Sequence, residues 1–354
     1  MKNKVRVKID RERCIGDNQP CFIVAEISAN HGQNFNRAIS LVKEAKIRGA
    51  DAVKFQTYTA DTLTINSRKK YFAIKHPKWG GQTLYELYEK AYTPWKWFKK
   101  LKRIAEDMGL IFFSTAFDRT AIDFLEELGV PMHKISSFEL VDLPLIEYAA
   151  KTNKPLILST GMSTILEVKE AVRTAKMAGA KDIILLKCVS SYPANPKEMD
   201  LNTIAHMRKL FRCPIGLSDH TMDIGASVAA VSLGAKMVEK HFALSRKFQT
   251  PDSFFSLEPR EFENLAKNIR IAEQALGHIR SGLTDEEKKN RIFRRSLFAV
   301  KDIKKGEVFS KENIKSIRPG HGLPPKYLNS ILNKKARRNI SKGVPLTLGL
   351  LKPK

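Results

Sequence analysis

The 354-residue chain holds only four cysteines, Cys14, Cys21, Cys188 and Cys213, and no two of them form a CxxC pair. That spacing argues against a zinc ribbon or a disulfide framework and leaves four reduced thiols. No apolar run approaches the roughly 18–20 residues that a bilayer-spanning helix needs. The opening MKNKVRVKID alternates charge with valine where a signal peptide would carry its apolar core. A cytoplasmic protein without membrane contact is expected. No GxGxxG follows the first strand-like segment, which lowers the case for a dinucleotide fold. Acidic residues are also scarce, with 37 Asp and Glu against 62 Lys and Arg and a net charge of +25. From Ser281 onward 19 Lys and Arg face 6 Asp and Glu, so +13 of the excess falls there. Such a balance invites a nucleic-acid reading. The lysines are scattered, however, as at Lys301, Lys304, Lys305, Lys311 and Lys315, without basic heptads, an RNP-like string or a Cys/His finger. A solvated basic surface suited to an anionic small molecule is the better reading, and no nucleic-acid partner is expected.

What the chain does have is alternation. Short apolar runs recur at CFIVAEIS (21–28), AVKFQ (52–56), IFFST (111–115), HKIS (133–136), PLILST (155–160), IILLKCVS (183–190), PIGLSDH (214–220) and MVEKHF (237–242). Between them lie segments of helical periodicity that stop near a glycine, such as NRAISLVKEAKIRGA, TAIDFLEELGV and LEVKEAVRTAKMAGA. Eight strand–helix units with near-continuous apolar strands predict an α/β (β/α)8 barrel over 1–280, opened by a hairpin in VRVKIDRERCIGDNQPC. The connection from Thr57 to Met108 is too long to be only a helix and reads as an elaborated loop on the active face. SGLTDEEKKNR marks a linker over 281–292. The pieces SLFAVKDI, EVFSKENI and VPLTLGLL, divided by glycine-containing turns, predict a small β-rich domain over 293–354.

Chemistry in a parallel barrel gathers at the C-terminal ends of the strands. Those ends carry Glu26 with Asn30 and His31, Lys54 and Gln56, Ser114 and Thr115, Lys134 and Ser137, Thr160, Ser190 and Tyr192, Ser218 with Asp219 and His220, and Glu239, Lys240 and His241. A lone Ser or Thr there is usually a satisfied structural hydrogen bond, but a polar group on every strand is hard to ascribe to accident. Strand alternation puts Glu239 and His241 on one face and turns Lys240 away. Facing inward, Glu239, His241 and His220 are expected to form a His/His/Glu cluster suited to Mn2+, Mg2+ or Zn2+. Two core histidines bonded to their neighbours are the competing reading. Lys54 and Lys134 lie inside apolar strands, where their partner is Glu26 or a substrate phosphate or carboxylate. A Schiff-base lysine is a third option.

The ordered motifs AEISANH, VKFQ, FSTAFD, KISSFE, LSTGM, KCVSSYP, GLSDHT, VEKHF, TPDSFFSLEP and RPGHGLPP resemble the sialic-acid-type nonulosonate synthases from about residue 20 to the C-terminus. LYELYEKAYTPWKW, KCVSSYP and SFFSLEP are most similar to the pseudaminate branch, with the N-acetylneuraminate and legionaminate branches as near relatives. The resemblance implies a barrel followed by an antifreeze-protein-like (SAF) domain, and a domain-swapped homodimer in which that domain covers the partner's barrel mouth. It implies phosphoenolpyruvate and an N-acylated amino sugar as substrates, no organic cofactor, and a divalent ion, Mn2+ or else Mg2+ or Co2+, on His220 and His241. Lys54, Lys134, Ser137 and Ser218 match residues that hold phosphoenolpyruvate, and Gln56, Thr115 and Thr160 line that pocket. Glu26, Glu239 and Asp252 match acidic groups that contact substrate or handle water and protons, and Arg318 matches an arginine delivered to the sugar's N-acyl group. Departures are Ala116 for the usual proline, Gly32 for asparagine, and the loop KFQTPDS, which lacks a glycine pair before Asp252. Ser190, an asparagine in the N-acetylneuraminate branch, fits the pseudaminate branch, as does Tyr192 in KCVSSYP.

Overall fold

The computed structural model describes residues 5–352, which divide into two compact units at Gly277 and His278. In the first, β1 (Arg6–Lys8) and β2 (Cys14–Gly16) form an antiparallel hairpin. Eight parallel strands then close a barrel: β3 (Phe22–Glu26), β4 (Ala52–Thr57), β5 (Ile111–Ala116), β6 (His133–Ile135), β7 (Leu156–Ser159), β8 (Ile183–Cys188), β9 (Ile215–Asp219) and β10 (Met237–His241). β10 returns to β3, with His241 opposite Glu26. Each strand lies within a residue or two of the apolar run that predicted it.

Alternation along these strands builds two cores. Outward positions such as Ile23, Val53, Phe55, Phe112, Leu158 and Val238 pack beneath the helices. Inward positions start apolar, with Phe22, Val24, Ala52, Ile111, Phe113, Met132, Ile157, Ile184 and Met237, and Val7, Ile9 and Ile15 of the hairpin join that cluster. The hairpin therefore plugs the end of the barrel where the strands begin. One step further along six of the eight strands the inward residues turn polar: Glu26, Lys54, Thr115, Lys134, Ser218 and Glu239 are all buried. The covering helices include Phe35–Ile47, Arg119–Leu128 and Ile165–Met177. Asp118 caps the second of these, which ends on Gly129 at φ 71°, a left-handed conformation that favours glycine. Among the described residues no helix is long and apolar enough to cross a membrane.

Gly216 lies on the inner face of β9, where an added Cβ would sit 2.6 Å from the Met237 carbonyl oxygen and 2.9 Å from its Cβ. Backbone on the next strand cannot yield as a flexible side chain can. Gly216→Ala is expected to destabilise the barrel by roughly 1–3 kcal/mol, the usual range for overpacking. A lowered urea midpoint with unchanged slope would report it, and an unshifted midpoint would show that β9 and β10 have slack.

In the second unit β11 (Ser296–Ala299) pairs antiparallel with β12 (Ile314–Ile317) around Leu297, Ile303, Phe309, Ile314, Ile340 and Leu346. The predicted three strands differ from this pattern. EVFSKENI gives one isolated bridge, Val308 to Lys335, before its Ile314 opens β12, and VPLTLGLL gives two isolated bridges, Pro345 to Phe298 and Leu351 to Ala336, because turns interrupt pairing after one residue. The segment read as a linker holds a helix, Asp285–Asn290, which Thr284 and Glu287 close with a reciprocal capping box.

Candidate active site

The polar inner layer forms one hydrogen-bonded network. Lys54 Nζ lies 3.0 Å from Glu26 Oε2 and 3.4 Å from Glu239 Oε1, and donates to Thr115 Oγ1 at 2.8 Å. Lys134 Nζ reaches both Glu239 oxygens, at 3.2 and 3.3 Å. Ser218 Oγ donates to Glu239 at 3.0 Å, and Gln56 Nε2 to Glu26 at 2.9 Å. Acid and base thus alternate as Glu26, Lys54, Glu239, Lys134, drawn from strands β3, β4, β10 and β6. No charge in this buried series stands without an opposite neighbour, which is the condition for keeping it.

The two carboxylates differ sharply. Burial raises the Glu239 carboxyl, but Lys134, Lys54 and the Ser218 hydroxyl outweigh that and hold it at about 2. Glu26 is raised to about 7, because burial and the nearby Glu239 charge exceed what Lys54 and Gln56 return. Burial lowers Lys134 despite Glu239, whereas two acidic partners raise Lys54 in spite of burial. One carboxylate is permanently ionised and its neighbour is poised near neutrality, a division that suits acid–base work.

The His/His/Glu cluster expected from the sequence is not formed. The lysines draw Glu239 away, and no group of three His, Cys, Asp or Glu among the described residues is set to hold a metal ion. The two histidines do meet, with ring centroids 5.4 Å apart. His220 Nδ1 donates to the Val189 carbonyl at 3.0 Å, which leaves Nε2 as the nitrogen for a metal. His241 Nδ1 is buried without a partner, and burial and the His220 charge hold its imidazole well below the ordinary value. Burial lowers His220, but the Cys188 sulfur, the Val189 carbonyl and Glu239 outweigh it and raise the imidazole, so a metal ion would have to displace its Nε2 proton. With that proton gone, two imidazoles at this spacing fit an open divalent site, since rings bound through N–metal bonds of roughly 2.1 Å have centroids about 5 Å apart. The remaining positions would fall to water and substrate.

Around the pair, Tyr192 lies 4.5 Å from His220 and Phe255 4.7 Å from His241, ring to ring, and Trp79 of the long β4–β5 connection packs against both aromatics. Ser137 Oγ accepts from the Gly161 N–H at 3.0 Å, Thr160 Oγ1 donates to the Leu186 carbonyl at 3.1 Å, and Ser190 lies 3.8 Å from the Cys188 sulfur. Asp252 is half-buried against Ser28 and the Ala29 N–H, outside the lysine network, and desolvation raises its carboxyl. Asn30 and His31 are structural: Asn30 donates to Phe242 O and Ser256, and His31 bonds Thr93. Arg318 lies in the second unit, exposed, just after β12. A cavity of about 930 Å3 lined by Arg37, Lys78, Trp79, Lys90, Arg246 and Phe254 includes none of the lysine–glutamate network.

Two residues escaped the sequence reading. Cys188 looks like any apolar strand residue, yet its sulfur lies 3.8 Å from His220 Nδ1. Burial pushes that thiol up, but the His220 charge prevails and brings it to about 7. Gly161 is crowded: an added Cβ would lie 2.8 Å from Ser137 Oγ and 3.2 Å from the Cys188 sulfur. The glycine after Thr160 in LSTGM was its only signal.

A family model for NeuB matches residues 41–281, and one for the SAF domain matches 294–352. The chain belongs to the NeuB family. A pseudaminic acid synthase of Campylobacter jejuni is 44% identical over 322 residues, covering 91% of this chain and 94% of the relative. Another from Helicobacter pylori is 43% identical over 330 residues, 93% and 97% of the two chains. The solved structure of an N-acetylneuraminic acid synthetase from Leptospira borgpetersenii, in complex with citrate, aligns with a TM-score of 0.73 at 31% identity, covering 82% of this chain and 96% of that one. The sialic-acid-type resemblance read from the motifs therefore holds, as do the barrel and the SAF domain. This NeuB-family chain is an enzyme.

Proposed function

We propose that the enzyme condenses phosphoenolpyruvate with the aldehyde of open-chain 2,4-diacetamido-2,4,6-trideoxyaltrose, giving pseudaminic acid and inorganic phosphate by C–O cleavage. The observation that carries this reading is the buried series Glu26, Lys54, Glu239, Lys134 beside the paired imidazoles of His220 and His241. The pseudaminic acid synthases among its relatives support the choice of branch.

Lys54 and Lys134 are converging ammonium groups; Lys134 keeps one N–H beyond its two bonds to Glu239, and Lys54 can exchange a carboxylate partner for substrate, which suits the pair to the phosphate and carboxylate of one small enol. Ser137 and Ser218 add hydroxyls, and the fixed cradle presents C3 in one orientation. The C2=C3 electron pair forms the bond to the aldehyde carbon, the C=O π pair moves onto the oxygen as an alkoxide that takes a proton from solvent water, and C2 becomes electron-deficient. A divalent ion such as Mn2+, held by His220 and His241, would supply Lewis-acid polarisation of the aldehyde oxygen. Glu239, ionised at any working pH, faces the charge at C2 and takes a proton from the water that adds there. The bond between C2 and the phosphate oxygen then breaks with its electron pair while the new C2 hydroxyl gives its proton to the departing phosphate, leaving the ketone and inorganic phosphate. In the same proposal the enzyme acts as a homodimer, with Arg318 of one copy serving the sugar's N-acyl group in the other. Elution as a monomer at assay concentration would remove that part.

Phosphate release from phosphoenolpyruvate and Mn2+ with a panel of N-acylated sugars tests the reading. Turnover with the altrose derivative is expected, and 18O in the bridging position should appear in phosphate. Release with N-acetylmannosamine alone would move the enzyme to the N-acetylneuraminate branch, and preference for a mannose-derived diamine to the legionaminate branch. An imine trapped by borohydride at Lys134 would replace condensation with a lysine aldolase.

Glu26 gives a pH dependence with a defined sign. Below about 7 it is neutral and leaves Lys54 to the substrate anion; above, it competes for that lysine. The KM for phosphoenolpyruvate is expected to rise between about pH 6 and 8, and Glu26→Gln to flatten the rise. A rise that persists in the variant would assign it to another group. Because the folded value lies above the ordinary 4.5, ionising Glu26 also costs stability, beginning above 4.5 and complete above about 7.

A further inference from the structure

Asp219 and Lys240 stand immediately before His220 and His241, on adjacent strands, and are register partners. Alternation sends their side chains to the opposite face of the wall from the imidazoles. There Lys240 Nζ lies 2.9 Å from Asp219 Oδ2, with both side chains fully buried. The ammonium also donates to the Thr221 carbonyl, to Thr221 Oγ1 at 3.3 Å and to the Asp223 carbonyl at 3.1 Å. Asp219 accepts in turn from the Thr221 N–H at 2.9 Å and from Ser227 Oγ at 2.6 Å. Every one of these bonds ends in the segment 219–227, the turn and helix start that carry His220.

His241 has no such bonds. Its Nδ1 is unpartnered, so its ring is placed by packing on Phe255 and by the backbone that Lys240 anchors one residue away. Stability alone does not explain a fully buried ion pair, since apolar residues of similar volume commonly serve as well or better. We propose that the Asp219–Lys240 pair is a positioning device that sets the spacing of His220 and His241 from behind the barrel wall, and thereby the affinity for the divalent ion. The inference rests on the reading of those imidazoles as metal ligands. A supporting shell of this kind typically governs metal affinity by about 10- to 100-fold.

The test is Mn2+ binding to the purified full-length chain, followed by electron paramagnetic resonance without substrates, together with Tm, kcat and KM. The paired replacement Asp219→Asn with Lys240→Met removes both charges at nearly constant volume. It leaves the Thr221 and Asp223 carbonyls without their donor, so a lowered Tm is expected, and the folded variant should bind Mn2+ about 10- to 100-fold more weakly and lose kcat at low but not at high Mn2+. The KM for phosphoenolpyruvate should stay unchanged, because the Lys54 and Lys134 network is untouched. Wild-type Mn2+ affinity in the folded double variant overturns the proposal. Should that variant fail to fold, Lys240→Arg keeps the charge but displaces its bonds, and an unchanged Mn2+ affinity there overturns it equally. If wild-type chain binds no Mn2+, the metal reading fails and this inference falls with it, a result distinguishable because it needs no variant.

Discussion

Glu239→Gln is expected to lower kcat by roughly a hundred- to ten-thousand-fold, the range for loss of a positioned proton acceptor, without raising the KM for phosphoenolpyruvate. The reason lies in what the carboxylate now neutralises. Lys134 bonds both its oxygens and Lys54 one of them. An amide keeps the volume but removes the anion, and it replaces one of the two acceptor oxygens facing the ammonium groups with an NH2 donor. The binding charges remain, while the group that accepts the water's proton and faces the positive C2 is gone. The same change leaves Lys134 without an acidic partner, and removing one member of a buried pair costs about 3–5 kcal/mol. The variant should therefore melt below wild type. Phosphoenolpyruvate, a polyanion suited to the same lysines, should raise the variant's Tm by more than it raises the wild-type Tm. An equal shift in both would place the substrate away from Lys54 and Lys134, and a wild-type kcat would take Glu239 out of the chemistry.

The barrel was legible because each strand is buried on both faces and so reads as an apolar run. The inward polar residues were legible for a complementary reason: a charge in such a run, as in AVKFQ or MVEKHF, costs too much to be incidental. Alternation then assigns each residue to a face, and Glu239 with His241 and Lys240 with Asp219 lie on the faces it predicts. What alternation cannot supply is which inward groups touch across the lumen. That depends on stagger and reach: Lys54 and Lys134 are long enough to cross from β4 and β6 to Glu239 on β10, and they take the carboxylate that proximity in sequence had given to His241. Cys188 was invisible for the opposite reason, because a thiol in a strand resembles the apolar residues beside it. In the second unit, turns that pair single residues left too little alternation to show that the strand starts only at Ile314, the last residue of EVFSKENI.

His241→Ala carries the other large expected effect, and here the predicted signature is a loss of sensitivity. The ring makes no hydrogen bond through Nδ1 and is held by packing, so truncation leaves no polar partner stranded. The fold should survive, whereas a metal site reduced to His220 alone should not. Lewis-acid polarisation of a carbonyl is worth several kcal/mol, and about 3–4 kcal/mol corresponds to a rate loss of roughly a hundred- to a thousand-fold. EDTA applied to the wild-type enzyme should impose a loss of the same size, reversed by Mn2+. Applied to His241→Ala it should do little more, because the two treatments remove one contribution and not two. Measured phosphate release under the four combinations decides the matter. If EDTA depresses the variant by the same factor as the wild type, the ion lies elsewhere and the imidazole pair has another role. If EDTA leaves the wild type active while His241→Ala is dead, the pair acts through its own protons, and the lone pair on His241 Nδ1 becomes the base to examine.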